Sequence, residues 1–178
     1  MTGVQTCALP ILAAAEALWK YDPELYIAFG LCFHLGLRAG EAAAAQWAWI
    51  RTDGTRIDME VICRSDWRPK GGERTIPIHP ELYSQLTKLR TPDLYILAGG
   101  TPTARSRLIK RDLAKWMRGL GWSTQKAAHE LRKWQGSRWY TERNAETAQY
   151  LLGHKDISTT CKWYADLARR PEPLSLGA

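Results

Sequence analysis

The stretch "PELYIAFGLCFHLG", residues 23–36, constrains this chain more than any other. Asp22 and Pro23 mark a helix start, with an acceptor at the cap and a proline where its missing N–H costs nothing. The residues after Pro23 are apolar nearly all round, and a helix without a polar face belongs in a core. A chain of 178 residues is the size of one domain, and at that length roughly 70% of the unfolded-chain surface is buried without staples. With 45% hydrophobic against 24% charged residues the chain is a folding sequence and not a disordered one. No apolar run approaches the ~20 residues that cross a bilayer, which excludes a membrane span.

The segments around that helix have their own signals. "LAAAEALWK" is a short amphipathic helix before it, and "LRAGEAAAAQW" restarts helix after the turn at Gly36. Between Ile50 and Ile78 the period changes. "TRIDMEVICRS" alternates as a strand, "RPKGGER" holds turn residues and "RTIPI" is a second strand, with Pro77 at an edge or strand end. This is a β-hairpin belonging to a small sheet. "HPELYSQLTKLR" enters helix through Pro80, and after "TPDLYILAGGTPT" helices are expected at 104–119, 125–142, 144–152 and 156–165. The expected class is α+β, mainly α-helical, with a small antiparallel sheet or hairpin.

The formal charge of +7 favours an anionic partner, since clustered Lys and Arg release counterions when they neutralise phosphates. The four cysteines are scattered without C-x-x-C spacing, which fits reduced thiols and neither a disulfide framework nor a zinc site. The opening residues "MTGVQTCALPI" lack the basic segment of a signal peptide. Back-translated with a GTG start codon they match a common sequencing-library adapter. Residues 1–11 are therefore expected to be a non-native leader, with Cys7 dropping out, and residues 12–178 the native domain.

Several chemically capable residues are unremarkable alone. His129 and Arg132 in "HELRKW" share a helix face at i and i+3, a pattern also found on solvated faces. Arg38 in "LGLRAGE" could simply pair with Glu41, and Lys70 sits where hairpin tips carry lysine. "LLGHKDISTTCKWYADL" sets His154 on a glycine turn and Tyr164 ten residues further on. In order, "GLRAGE", "RPKGGERTIPI", "HELR", "LLGH" and a tyrosine form a series that closely resembles the catalytic domain of the tyrosine recombinase (phage integrase) family, from Leu12 to about Leu167.

The resemblance implies that Arg38 is the first arginine of the family's site, Lys70 its hairpin lysine, His129 and Arg132 the paired histidine and second arginine, His154 the turn histidine and Tyr164 the nucleophile. Glu41 would orient Arg38, and Gly153 would allow a tight approach at the helix end. The chemistry suits these types. Guanidiniums hold phosphate oxygens through paired N–H donors and stabilise the charge that grows as a nucleophile adds. A phenol with pKa near 10 needs help losing its proton, and a leaving alkoxide needs an acid. No cofactor or metal is implied, and there is no G-x-x-x-x-G-K-[ST] loop.

The implied partner is double-stranded DNA, with self-association into a tetramer on DNA in the full-length protein, a cytoplasmic, DNA-associated location and no membrane. The family's N-terminal core-binding domain is expected to be missing from this chain. Two other functions stay open: type IB topoisomerase-like cleavage and resealing, and a non-catalytic DNA-binding remnant. The chain departs from many relatives in carrying Lys133 and Trp134, not His-Thr, after the second arginine. Trp163 occupies the ninth position after His154, leaving Tyr164 as the tyrosine in range. Tyr140 and Tyr150 are expected in the core, most tryptophans, Trp163 among them, as packing area, and His34 and His79 as structural residues.

Overall fold

The Asp22 carboxylate accepts the Leu25 backbone N–H at 3.0 Å and starts helix α2, Pro23–Phe33. The computed structural model describes residues 8–168, apart from the side chains of residues 8–10, 163 and 165–168. Met1–Cys7 of the expected leader lie outside the described residues; helix α1 runs Ala8–Tyr21, and Ile11 on it is buried. Every residue of α2 from Leu25 to Phe33 is buried, as an all-apolar helix requires. α2 packs against α1, against the long helix Ala127–Glu142 and against a π-helical turn at Leu108–Asp112. Phe33 stacks on Trp134 with ring centroids 4.2 Å apart. Trp134, the departure from the family's usual pair, is thus a packing ring against the central helix.

The helix after the turn, α3, is short, Ala39–Ala44. The sheet has three antiparallel strands in sequence order: β1 Ile50–Asp53, β2 Arg56–Val61 and β3 Arg74–Pro77. The expected β2–β3 pairing is present, with Met59 opposite Ile76. β1 is an addition: only four residues, three of them exposed, it offers no alternation to read. The β2–β3 connection is also longer than a hairpin turn. It spans residues 62–73, pinched by a bridge between Arg64 and Trp67 and folded where Gly72 N–H bonds the Pro69 carbonyl at 3.1 Å. Pro77 ends the edge strand, where no ladder donor is needed.

Helix α4 is Pro80–Lys88, opened by His79, whose Nδ1 accepts the Glu81 N–H. The helix expected at 104–119 is a run of α5 (Pro102–Arg107), the π turn and α6 (Leu113–Gly119). α7 (Ala127–Glu142), α8 (Ala145–Leu152) and α9 (Ile157–Ala168) complete the order. His34 caps α2 edge-on to Phe29 and Phe33, and burial lowers its imidazole to about 4. Tyr150 is not a core residue: it is 55% exposed on α8, and its hydroxyl accepts the Thr75 N–H at 3.2 Å. The polar end of its ring ties α8 to β3. Tyr140 is half-buried beside Tyr164, centroids 6.1 Å apart. Among the described residues no helix is long and apolar enough to cross a membrane.

Candidate active site

The last carbonyls of a helix have no partner within it, so each must find a donor elsewhere. At the end of α8 the full set is accounted for. Gly153 adopts the left-handed conformation (φ 61°, ψ 48°), which turns the chain back. Its own N–H then bonds the Tyr150 carbonyl at 2.9 Å, and the His154 N–H bonds that of Gln149 at 3.0 Å. The next three carbonyls each accept from a different arginine. Leu151 takes Arg74 Nε at 2.8 Å, Leu152 takes Arg132 Nη2, and Gly153 takes Arg38 Nη2 at 3.0 Å. Cations at a helix C-terminus also oppose its dipole favourably. The "LLG" of "LLGH" is therefore a three-point dock for guanidiniums.

Glu41 closes the cluster from the other side. Its carboxylate, 2% exposed, accepts the Arg38 backbone N–H at 2.9 Å and Arg38 Nη1 at 3.0 Å. It also accepts both terminal nitrogens of Arg74, at 3.0 and 2.7 Å, and lies 3.9 Å from Arg132 Nη1. Burial alone would raise its pKa, but the hydrogen bonds and charge of Arg74 and Arg38 prevail and hold it at about 2. Arg132, which also donates to the Gly36 carbonyl at 2.6 Å, is lowered by burial and by Arg38, against the pull of Glu41. A guanidinium starts so high that it stays cationic at neutral pH.

Arg74 is the member of this cluster that none of the sequence motifs singles out. A signal existed: Arg74 and Ile76 share the inward face of β3, and a charge on a buried face demands a partner.

The remaining predicted residues gather on the same spot. Lys70 is exposed on the 62–73 connection, and Gly71 beside it lets that backbone pass close to the end of α8. A Cβ at Gly71 would collide with the Gly153 carbonyl and come within 2.6 Å of Arg38 Nη1. His154 Nδ1 lies 2.9 Å from Thr160 Oγ1 on α9. Burial, followed by Arg132, Arg38 and Arg74, lowers the His154 imidazole to about 4. The pKa of His129, an exposed residue of α7, is lowered by partial desolvation and by Lys133. Both imidazoles are held toward the neutral form.

Tyr164 is 4% exposed. Its phenol lies against α7 at Gly136, one helical turn beyond Arg132, where an added Cβ would come within 2.7 Å of Cζ. Burial raises its pKa, Arg132 opposes that, and Glu130 adds to it. Trp163, its neighbour, has a side chain outside the described residues.

Arg38, Lys70, His129, Arg132, His154 and Tyr164 all line one cavity of about 620 Å³. Lys110 from the π turn, Lys126 and Lys133 also line it, and no Asp or Glu is among its described lining residues. Such a pocket concentrates positive potential on whatever enters. Among the described residues no group of three His, Cys, Asp or Glu side chains is placed to hold a metal ion.

A mainly helical domain with a three-strand antiparallel sheet and this arrangement is the fold of tyrosine recombinase catalytic domains. The sequence matches the phage integrase family over residues 9–170, and the chain belongs to that family. Solved structures agree on the fold. The XerA recombinase superposes with a TM-score of 0.65 at 17% identity, over 89% of this chain and 62% of that one. A lambda integrase tetramer bound to a Holliday junction gives 0.65 at 21%, over 96% and 50%. The Tn1549 transposon integrase in complex with transposon right end DNA gives 0.57 at 18%, over 81% and 56%. This chain thus spans between 50% and 62% of the length of these relatives. No curated protein matches its sequence.

Proposed function

We propose that the chain is the catalytic domain of a site-specific DNA recombinase, an integrase that cleaves and rejoins double-stranded DNA through a 3′-phosphotyrosine link. The observation that supports this most is the convergence of six side chains, from well-separated segments of the sequence, on a single cationic cavity. Arg38 and Arg132 would hold the non-bridging oxygens of the scissile phosphate, each fixed beforehand by carbonyls at the end of α8. Such fixing leaves little reorganisation to the moment of reaction. Glu41 would set the plane of the Arg38 guanidinium, and Gly153 the close approach of its carbonyl.

Tyr164 Oη would attack phosphorus as its proton passes to His129, whose lowered pKa favours the neutral imidazole. The bond to the 5′ oxygen breaks, and that oxygen takes a proton from Lys70 on the exposed connection. The phosphate is then esterified to Tyr164, and attack by a 5′ hydroxyl reverses the steps to join strands. A tetramer on DNA, the assembly seen for lambda integrase on a Holliday junction, would bring two such strand pairs together in the full-length protein.

A nicked suicide substrate tests the reading, because loss of the short fragment that bears the freed 5′ hydroxyl traps the covalent product. Wild type is expected to form a protein–DNA adduct and Tyr164→Phe none. An adduct that persists in Tyr164→Phe rules this tyrosine out as nucleophile.

A further inference from the structure

We propose that Thr160 is a positioning residue that holds His154 as the tautomer protonated on Nε2, so that the imidazole offers a neutral N–H donor to an anion in the cavity. The inference rests on the reading of that cavity as a phosphate site. Thr160 is fully buried, and its Oγ1 lies 2.9 Å from His154 Nδ1, six residues back across the α8–α9 turn. Two proton arrangements fit that distance. Either Nδ1–H donates to the hydroxyl, or the hydroxyl donates to a bare Nδ1.

The surroundings of Thr160 decide between them. Thr87 and Thr141, also on helices, donate back to carbonyls four residues earlier, at 3.0 and 2.9 Å. Thr160 makes no such bond among the described residues; its hydroxyl is turned to the imidazole. If Nδ1 carried the proton, the hydroxyl hydrogen would be buried without an acceptor, which is costly. With the hydroxyl as donor both groups are satisfied. The proton then sits on Nε2, the nitrogen left to the cavity that His154 lines with Arg38 and Arg132.

The reverse tautomer would aim a lone pair at an incoming anion. Arg132, Arg38 and Arg74 meanwhile oppose a second proton on the ring. Thr160 thereby makes His154 a donor without adding a charge to a crowded cationic site.

Nitrogen NMR of the histidine rings, run at neutral pH on the full chain without DNA, reads the tautomer directly. Wild type and Thr160→Ser are expected to carry the His154 proton on Nε2 alone. In Thr160→Val the two ring nitrogens should move toward their tautomer-averaged positions. With the suicide substrate, adduct formation should slow about tenfold in Thr160→Val and recover in Thr160→Ser, the effect of one hydrogen bond. A wild-type ring protonated on Nδ1, or a Thr160→Val ring unchanged from wild type, overturns the proposal. Should Thr160→Val not fold, the wild-type and Thr160→Ser spectra still decide. A wild type that holds the Nε2 proton yet forms no adduct supports the tautomer and counts against the recombinase reading instead.

Discussion

The two sides of the cavity are built on different terms. On the α8 side, Arg38, Arg74 and Arg132 are each tied to a helix-end carbonyl, and all three surround Glu41 in or near the core. On the other side, Lys70 stands exposed on a long connection, and Tyr164 lies flat in a notch of α7 on the last described helix. Charge that would receive an anion is preorganised at the centre of the fold. Of the groups that would move protons and form bonds, Lys70 is carried by the exposed connection and Tyr164 by the last described helix, while His129 shares α7 with Arg132. The cationic side is thus fixed by the core, whereas Lys70 and His129 stand exposed and Tyr164 is packed against α7.

Substitutions on the two sides should separate activity from stability. The largest effect is expected from Lys70→Ala, about 10²–10⁴-fold slower cleavage with stability unchanged to within about 0.5 kcal/mol, as for other exposed positions. A substrate whose 5′ leaving atom is sulfur should restore the rate, because a thiolate departs without a proton. Failure of that rescue would remove Lys70 as the acid. Glu41→Ala should do the opposite. It strands the Arg38 and Arg74 guanidiniums beside that of Arg132, and breaking a buried ion pair from one side costs about 3–5 kcal/mol, readable by urea unfolding. A loss under about 1 kcal/mol would mean that the arginine side is not the locked one.

Gly136→Ala sharpens the contrast further, because its methyl would press on the Tyr164 phenol. About 1–3 kcal/mol of overpacking is expected, together with greater solvent exposure of that tyrosine, measurable by its chemical modification. The smallest effect is a pH dependence. His34 and His154 have folded values of about 4 against an ordinary 6.5, so the unfolded chain binds more protons and stability falls as pH drops from about 6.5 toward 4. Glu41, held at about 2 against an ordinary 4.5, adds a second decline from about 4.5 downward. Thermal melts across this range should show both, and Glu41→Gln should lose the lower one.

What could be read in the sequence was whatever depends on neighbours in sequence. The apolar run of α2, the Asp22 cap, the glycine turn before His154 and the i, i+3 pair on α7 are local patterns, and each is where it was expected. Apart from β1, which is simply short, the misses are non-local. β1 has too few residues to show a period, and the connection bearing Lys70 is long because it reaches α8. Arg74 meets Glu41 and Leu151 from 33 and 77 residues away, and Tyr150 finds its partner on a strand 75 residues back. Thr160 reads as one threonine among several until its hydroxyl is seen facing an imidazole.

One helix end fastens three cations, so none of them can be retuned by itself. A small change in the pitch of that final turn, whether drawn by a ligand, a neighbouring protomer or the segment after it, would carry the whole triad with it. If Arg38 and Arg132 hold a phosphate as proposed, that hold would then strengthen or slacken as a unit, with the backbone of α8 as the lever.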